Sequence, residues 1–160
     1  MNLRIKDFLF FSIIMMVFLS CSNSKKSTND NSFIFSSSDE DIAKQIAILN
    51  SGDWRLTEVN GQPVDSVNGI IPFIRFDDAG RISGSVGCNN FSSNFKIEKG
   101  NKIHFSPVIS TKMACIDMSV EDRLFPILAE TDNFHLNEYQ FILKKAKSSP
   151  IAKFAKMNTK

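Results

Sequence analysis

The chain has 160 residues, 19 Lys and Arg against 17 Asp and Glu, and 15 phenylalanines beside one Trp and one Tyr. Near-balanced charge, with the lysines scattered along the sequence, leaves no basic surface for nucleic acid. The length fits one buried core with short appendages, and phenylalanine is the residue available to fill it.

Residues 1–20 read as a secretory signal peptide. Arg4 and Lys6 give it a positive start, residues 8–17 an apolar stretch too short for a membrane span, and Ser20 a small residue ahead of Cys21. Leu19-Ser20-Cys21 resembles the bacterial lipobox. That resemblance implies cleavage before Cys21, lipidation of its thiol, and a membrane as partner through the lipid anchor, each buried methylene adding about 0.8 kcal/mol. No Asp stands among Ser22-Asn23-Ser24-Lys25-Lys26. By resemblance to enterobacterial sorting, the expected location is the outer membrane, facing the periplasm.

After the anchor, residues 21–37 are rich in Ser, Asn and Lys without an apolar period, a flexible tether of roughly 20–24 Å reach. Phe33 and Phe35 interrupt it, as candidates for contact with lipid or with the domain. Over 38–51, Ile42, Ile46 and Leu49 recur at helical spacing behind acidic residues, which predicts a short amphipathic helix ending at Gly52. The period then falls to two, and a β domain is expected over 52–160.

Strands are predicted at 54–59, closing at Asn60-Gly61, and at 71–76, with Pro72 marking an edge or bulge. Another covers 81–86, interrupted by Gly84, and a hairpin of 90–98 with 102–105 turns at Lys99-Gly100-Asn101. A strand at 108–112 precedes a helix with Ser119 as its N-cap and Val120, Leu124, Ile127 and Leu128 on one face, kinked or tightened by Pro126. Strands at 134–136, 139–144 and 151–154 complete the chain. The expected fold is mainly β (α+β): a small curled antiparallel sheet or half-open β-barrel with one late covering helix, preceded by a short N-terminal helix. A β-sandwich is the alternative.

With Cys21 lipidated, Cys88 and Cys115 form an even pair in an oxidising compartment, and a disulfide follows as the expected state. A reactive thiol pair is the alternative, against a spacing unlike that of redox sites. Gly84 and Gly87 let the strand bend or bulge and bring another backbone close. Asn89 and Asn90 can fix a turn with their own side chains. The stretch is therefore a rigid turn or a small polar binding site.

Gly84-Ser85-Val86-Gly87-Cys88-Asn89-Asn90-Phe91 resembles the G-x-x-G-C-N-x-[YF] signature of the META domain, found in HslJ-like heat-shock lipoproteins. Ser110-Thr111-Lys112-Met113-Ala114-Cys115 is similar to that family's T-[RK]-M-A-C signature, with Thr111 and Met113 as further motif residues. The resemblance covers about residues 52–144. It implies an envelope lipoprotein of unspecified activity, associated with stress and, in some members, with secretion or motility.

Other chemistry is poorly supplied. His104 and His135 lie in strand patterns without ligand spacing, so a zinc site would have to gather both histidines and both cysteines from distant segments. A Cys-His-Asp hydrolase built on Cys88 or Cys115, His104 and Asp117 lacks a local nucleophile motif. Asp77-Asp78 belongs to a turn and Glu121-Asp122 to a helix start. Neither a Walker loop nor a dinucleotide fingerprint is present, so no cofactor is expected. Asp65-Ser66-Val67 matches a short O-glycosylation pattern. The functional expectation is a non-catalytic binding or stress-related module holding a protein partner or a hydrophobic ligand. Its alternatives are a pilotin-like carrier of hydrophobic clients and a lysozyme-inhibitor-like binder using loops 60–69 and 92–94.

Overall fold

The computed structural model describes residues 37–146 and 148–157. The signal segment, Cys21, and the tether with Phe33 and Phe35 lie outside them.

In chain order the elements are α1 (Ser37–Asn50), β1 (Trp54–Val59), β2 (Gln62–Pro63), β3 (Phe73–Phe76), β4 (Arg81–Ser85), β5 (Asn90–Glu98), β6 (Lys102–Phe105), β7 (Ile109–Ser110), α2 (Ser119–Glu130), β8 (Asn133–Leu136), β9 (Gln140–Lys144) and β10 (Pro150–Lys156). The expected curled sheet is present and closes on itself. Neighbours run β1-β3-β4-β5-β6-β8-β9-β10, and β10 pairs back with β1, while β2 and β7 hang on β1 and β5. All pairings are antiparallel.

Closure depends on a bulge. The β1–β10 ladder runs from Trp54↔Lys156 to Val59↔Ala152 with a register shift between Leu56 and Glu58. An unbroken period of two would have turned Glu58 inward; the extra residue turns Val59 inward instead, so Trp54, Leu56 and Val59 are all fully buried.

Phenylalanine fills the interior, as an eight-stranded barrel requires. Phe141 is the hub: the rings of Phe76, Phe154, Phe134 and Trp54 stand 5.4, 5.7, 6.0 and 6.1 Å from it. Such tilted and edge-on pairs add to the burial of each ring.

Each end of the barrel carries a helix. α1 is fastened to the end bearing the β3–β4 and β5–β6 turns: Asn50 Nδ2 donates to Asp78 Oδ1, Gln45 Nε2 to Asn101 Oδ1, and the buried Trp54 indole to the Leu49 carbonyl at 2.9 Å. At the other end α2 buries Val120, Leu124, Ile127 and Leu128, the face expected for it. Its start differs from expectation. Ser119 is already helical and Met118 holds the cap position without a side-chain bond, because Asp117 Oδ1 accepts the Ser119 N–H instead. The β2 segment was not anticipated; Asn60 and Gly61, at φ 49° and 76°, turn the chain back into it.

Candidate functional site

Between β4 and β5 the chain turns at the α2 end, and both motif glycines have steric work there. A Cβ on Gly84 would lie 2.1 Å from the Phe73 carbonyl oxygen and 3.0 Å from the Phe91 ring. Register runs through Gly84 without a shift, so the expected bulge is absent and close backbone approach is the reason for glycine. Gly87 has φ +103°, and its Cβ would meet that of Val67 at 2.4 Å. Gly84→Ala is expected to cost about 2–3 kcal/mol through overpacking against backbone that cannot swing aside. An unchanged urea midpoint would contradict this.

Past Gly87, Cys88 is bonded to Cys115 with a Cα–Cα separation of 5.9 Å. Asn89, 1 % exposed, uses both ends of its amide. Oδ1 accepts from Thr111 Oγ1 at 2.7 Å and from the Met113 N–H at 2.8 Å. Nδ2 donates to the Met113 carbonyl at 3.2 Å and to the buried Glu121 carboxylate at 2.9 and 3.1 Å. The Asn90 N–H donates to Thr111 Oγ1, and the Thr111 N–H to the Asn90 carbonyl.

Cys88, Asn89, Asn90, Thr111, Met113 and Cys115 are therefore joined here, while Gly84 packs against Phe73 and Phe91 and Gly87 against Val67; Cys21 lies outside the described residues. Two partners were missed. Glu121 has the ordinary look of an acidic first-turn residue, yet it is 7 % exposed and ties α2 to Asn89. Asn68 resembles a loop former, and it donates to the carbonyls of Gly87 and Asp117, clasping loop 64–72 to both sides of the disulfide. Only Asn68's position one residue before Gly69 hinted at a special backbone.

These groups satisfy one another, so the cluster acts as a fastener. What it fastens is segment 109–117, which stands in water: Lys112 and Ala114 are exposed, Met113 is 52 % exposed and Ile116 fully so. Ile70 and Ile71, on the loop clasped by Asn68, are exposed at 42 and 43 %.

The residues weighed for catalysis are dispersed. Both sulfurs are in the disulfide, His104 and His135 are exposed on β6 and β8, and Asp117 is held at the start of α2. The Ser119 hydroxyl and N–H bonding to Asp117 hold its carboxyl below the usual carboxylate range. Among the described residues, no three His, Cys, Asp or Glu side chains converge as metal ligands.

Residues 47–158 match the META domain family model, a span that includes the barrel and both disulfide cysteines. No curated protein matches the chain. Among solved structures, a protein from Burkholderia xenovorans solved by NMR superposes with TM-score 0.57 at 18 % identity, over 72 % of this chain and 88 % of that one. A second protein solved by NMR gives 0.55 at 26 % identity, over 69 % and 92 %. A duf4847 family protein from Bacteroides vulgatus gives 0.51 at 15 % identity, over 69 % and 97 %. With the glycine–cysteine turn, its disulfide and the closed barrel lying inside the matched span, the chain belongs to the META domain family.

Proposed function

We infer that this META-domain protein is a non-catalytic binding module, lipid-anchored through Cys21 at the outer membrane and contacting a protein partner with the end of the barrel that carries segment 109–117. One observation carries the reading: a disulfide and a buried amide hold the segment bearing exposed Met113 and Ile116, and Asn68 ties to it the loop that exposes Ile70 and Ile71. Ordering apolar side chains in water brings no gain from burial, and rigid exposed anchors suit partner recognition.

A hydrophobic-ligand carrier finds less support, since rings already occupy the barrel interior. A groove of about 550 Å³ beside α1, lined in part by Ile42, Ile48 and Leu136, is the place such a ligand would use. The lysozyme-inhibitor version would use loop 60–69 alone, since residues 92–94, expected as a second loop, are paired strand residues of β5 with Ser93 buried.

The test places a photo-crosslinking amino acid at Ile116 or, as control, at Lys96 in the full chain in cells. A discrete adduct with a single protein from position 116 and none from 96 is expected. No adduct from 116, or equal adducts from both, would overturn the partner reading. For the anchor, labelled palmitate is expected in the wild type and absent from Cys21→Ser, which should leave the membrane fraction; equal labelling of both would contradict it.

A further inference from the structure

Segment 109–115 has the hydrogen-bonding pattern of a strand, although only Ile109–Ser110 pairs as one. β7 lies antiparallel to β5 with Phe91↔Ser110 and Ser92↔Ile109 as partners. Two residues on, the Thr111 N–H bonds the Asn90 carbonyl at 3.0 Å. Two residues further, where the β5 backbone has turned away, the Asn89 side-chain amide takes the place of a peptide: it accepts the Met113 N–H and donates to the Met113 carbonyl. The peptide groups of residues 109, 111 and 113 thus face the domain, and the Cys88–Cys115 disulfide holds the far end of the segment.

In an extended strand the intervening peptides face the other way. Ser110, Lys112 and Ala114 therefore turn their N–H and C=O outward, and none of these groups has a partner among the described residues. They form a row with a spacing of about 6.7 Å. Such an open edge is a template for strand addition.

Lys112 decides what can add to it. Antiparallel pairing with a second copy that used all three outward peptides would set Lys112 directly opposite its own copy, and like charges so placed repel. An acidic residue there is attracted. Ile109 and Met113, exposed at 73 and 52 %, lie on the opposite face of the strand from Lys112. The partner residue opposite Met113 would adjoin the acid and the one opposite Ile109 would lie three positions from it on the other side, both on the face away from Lys112.

We propose that the outer edge of residues 109–115 binds an extended segment of a partner protein with an acidic residue between apolar ones, added as an antiparallel strand. This rests on the binding-module reading and names its partner chemistry.

The test titrates the oxidised full chain with the peptide Val-Thr-Val-Glu-Val-Thr-Val and, separately, with its Lys-centred counterpart, following amide exchange by NMR. The Glu-centred peptide should protect the amides of Ser110, Lys112 and Ala114, and the Lys-centred one should bind about tenfold more weakly. Lys112→Glu should reverse the preference. Equal binding of both peptides by the wild type, no protection at the three amides at millimolar peptide, or protection elsewhere would overturn the proposal. Failure here with the Ile116 crosslink intact would remove the strand edge and leave the binding module standing.

Discussion

Replacing Asn89 by leucine is expected to destabilise the domain by about 3–5 kcal/mol, because the change strands the buried Glu121 carboxylate and unties Met113 and Thr111 at once. The Glu121 carboxylate loses the donor that bonds both its oxygens, the Met113 N–H and C=O lose their shared partner, and the Thr111 hydroxyl loses its acceptor. A buried polar group left without its partner costs far more than the net worth of one hydrogen bond. Asn89→Leu with Glu121→Leu should recover part of the loss, since the stranded carboxylate goes with it; the segment around Met113 should stay loosened. Urea denaturation of the single and double variants checks this. A single variant within 1 kcal/mol of wild type would mean that the amide network carries little of the fold's stability.

Breaking the disulfide is the second large perturbation. Cys88 and Cys115 are 27 residues apart, and in the chain-entropy model closing such a loop is worth about 3.5 kcal/mol. The double variant Cys88→Ala with Cys115→Ala should lose most of that, and wild type under reductant should behave alike. The loss has a local signature as well: segment 109–117 is held at one end by β7 and at the other by Cys115 and the Asn68–Asp117 clasp. Its amides should lose protection before those of β9 and β10. Uniform loss across the barrel would contradict a local fastening role.

Much of the barrel was legible because its strands are short and bury one face. Ile74 and Phe76 on β3, or Phe141 and Leu143 on β9, announce themselves by side-chain period. The hairpin around Lys99-Gly100-Asn101 followed from turn chemistry, and Gly100 and Asn101 both take left-handed conformations there. β2 escaped because Gln62 and Pro63 are both exposed, so nothing apolar marked them. Closure of β10 onto β1 escaped for a different reason: it joins segments about a hundred residues apart, and neither carries a local signal of its partner. The bulge after Leu56 was hidden too, since a shift of period within six residues reads as a weak end to the strand.

The site divides the same way. Gly84, Gly87, Cys88 and Asn89 were legible because each type has a narrow repertoire: a missing Cβ, a bridging sulfur, a two-ended amide; Thr111 and Met113 were marked only by the resemblance to the second META signature. Glu121 and Asn68 were not, because an acid in a helix's first turn and an asparagine before glycine have sufficient local explanations. Only the tertiary fold shows that Glu121 points inward at Asn89 and that Asn68 reaches two carbonyls across the disulfide.

Central to this account is that Asn89 stands in for a missing stretch of β5 backbone and holds segment 109–115 as a strand with one edge bonded and one open. Residue-resolved amide hydrogen exchange on the oxidised full chain, without any added peptide, tests it most directly. Thr111 and Met113 should be protected, while Ser110, Lys112 and Ala114 exchange near the rate of an unstructured chain. Free exchange at all five amides would show that the strand is not held, and protection at all five that its outer edge is already covered.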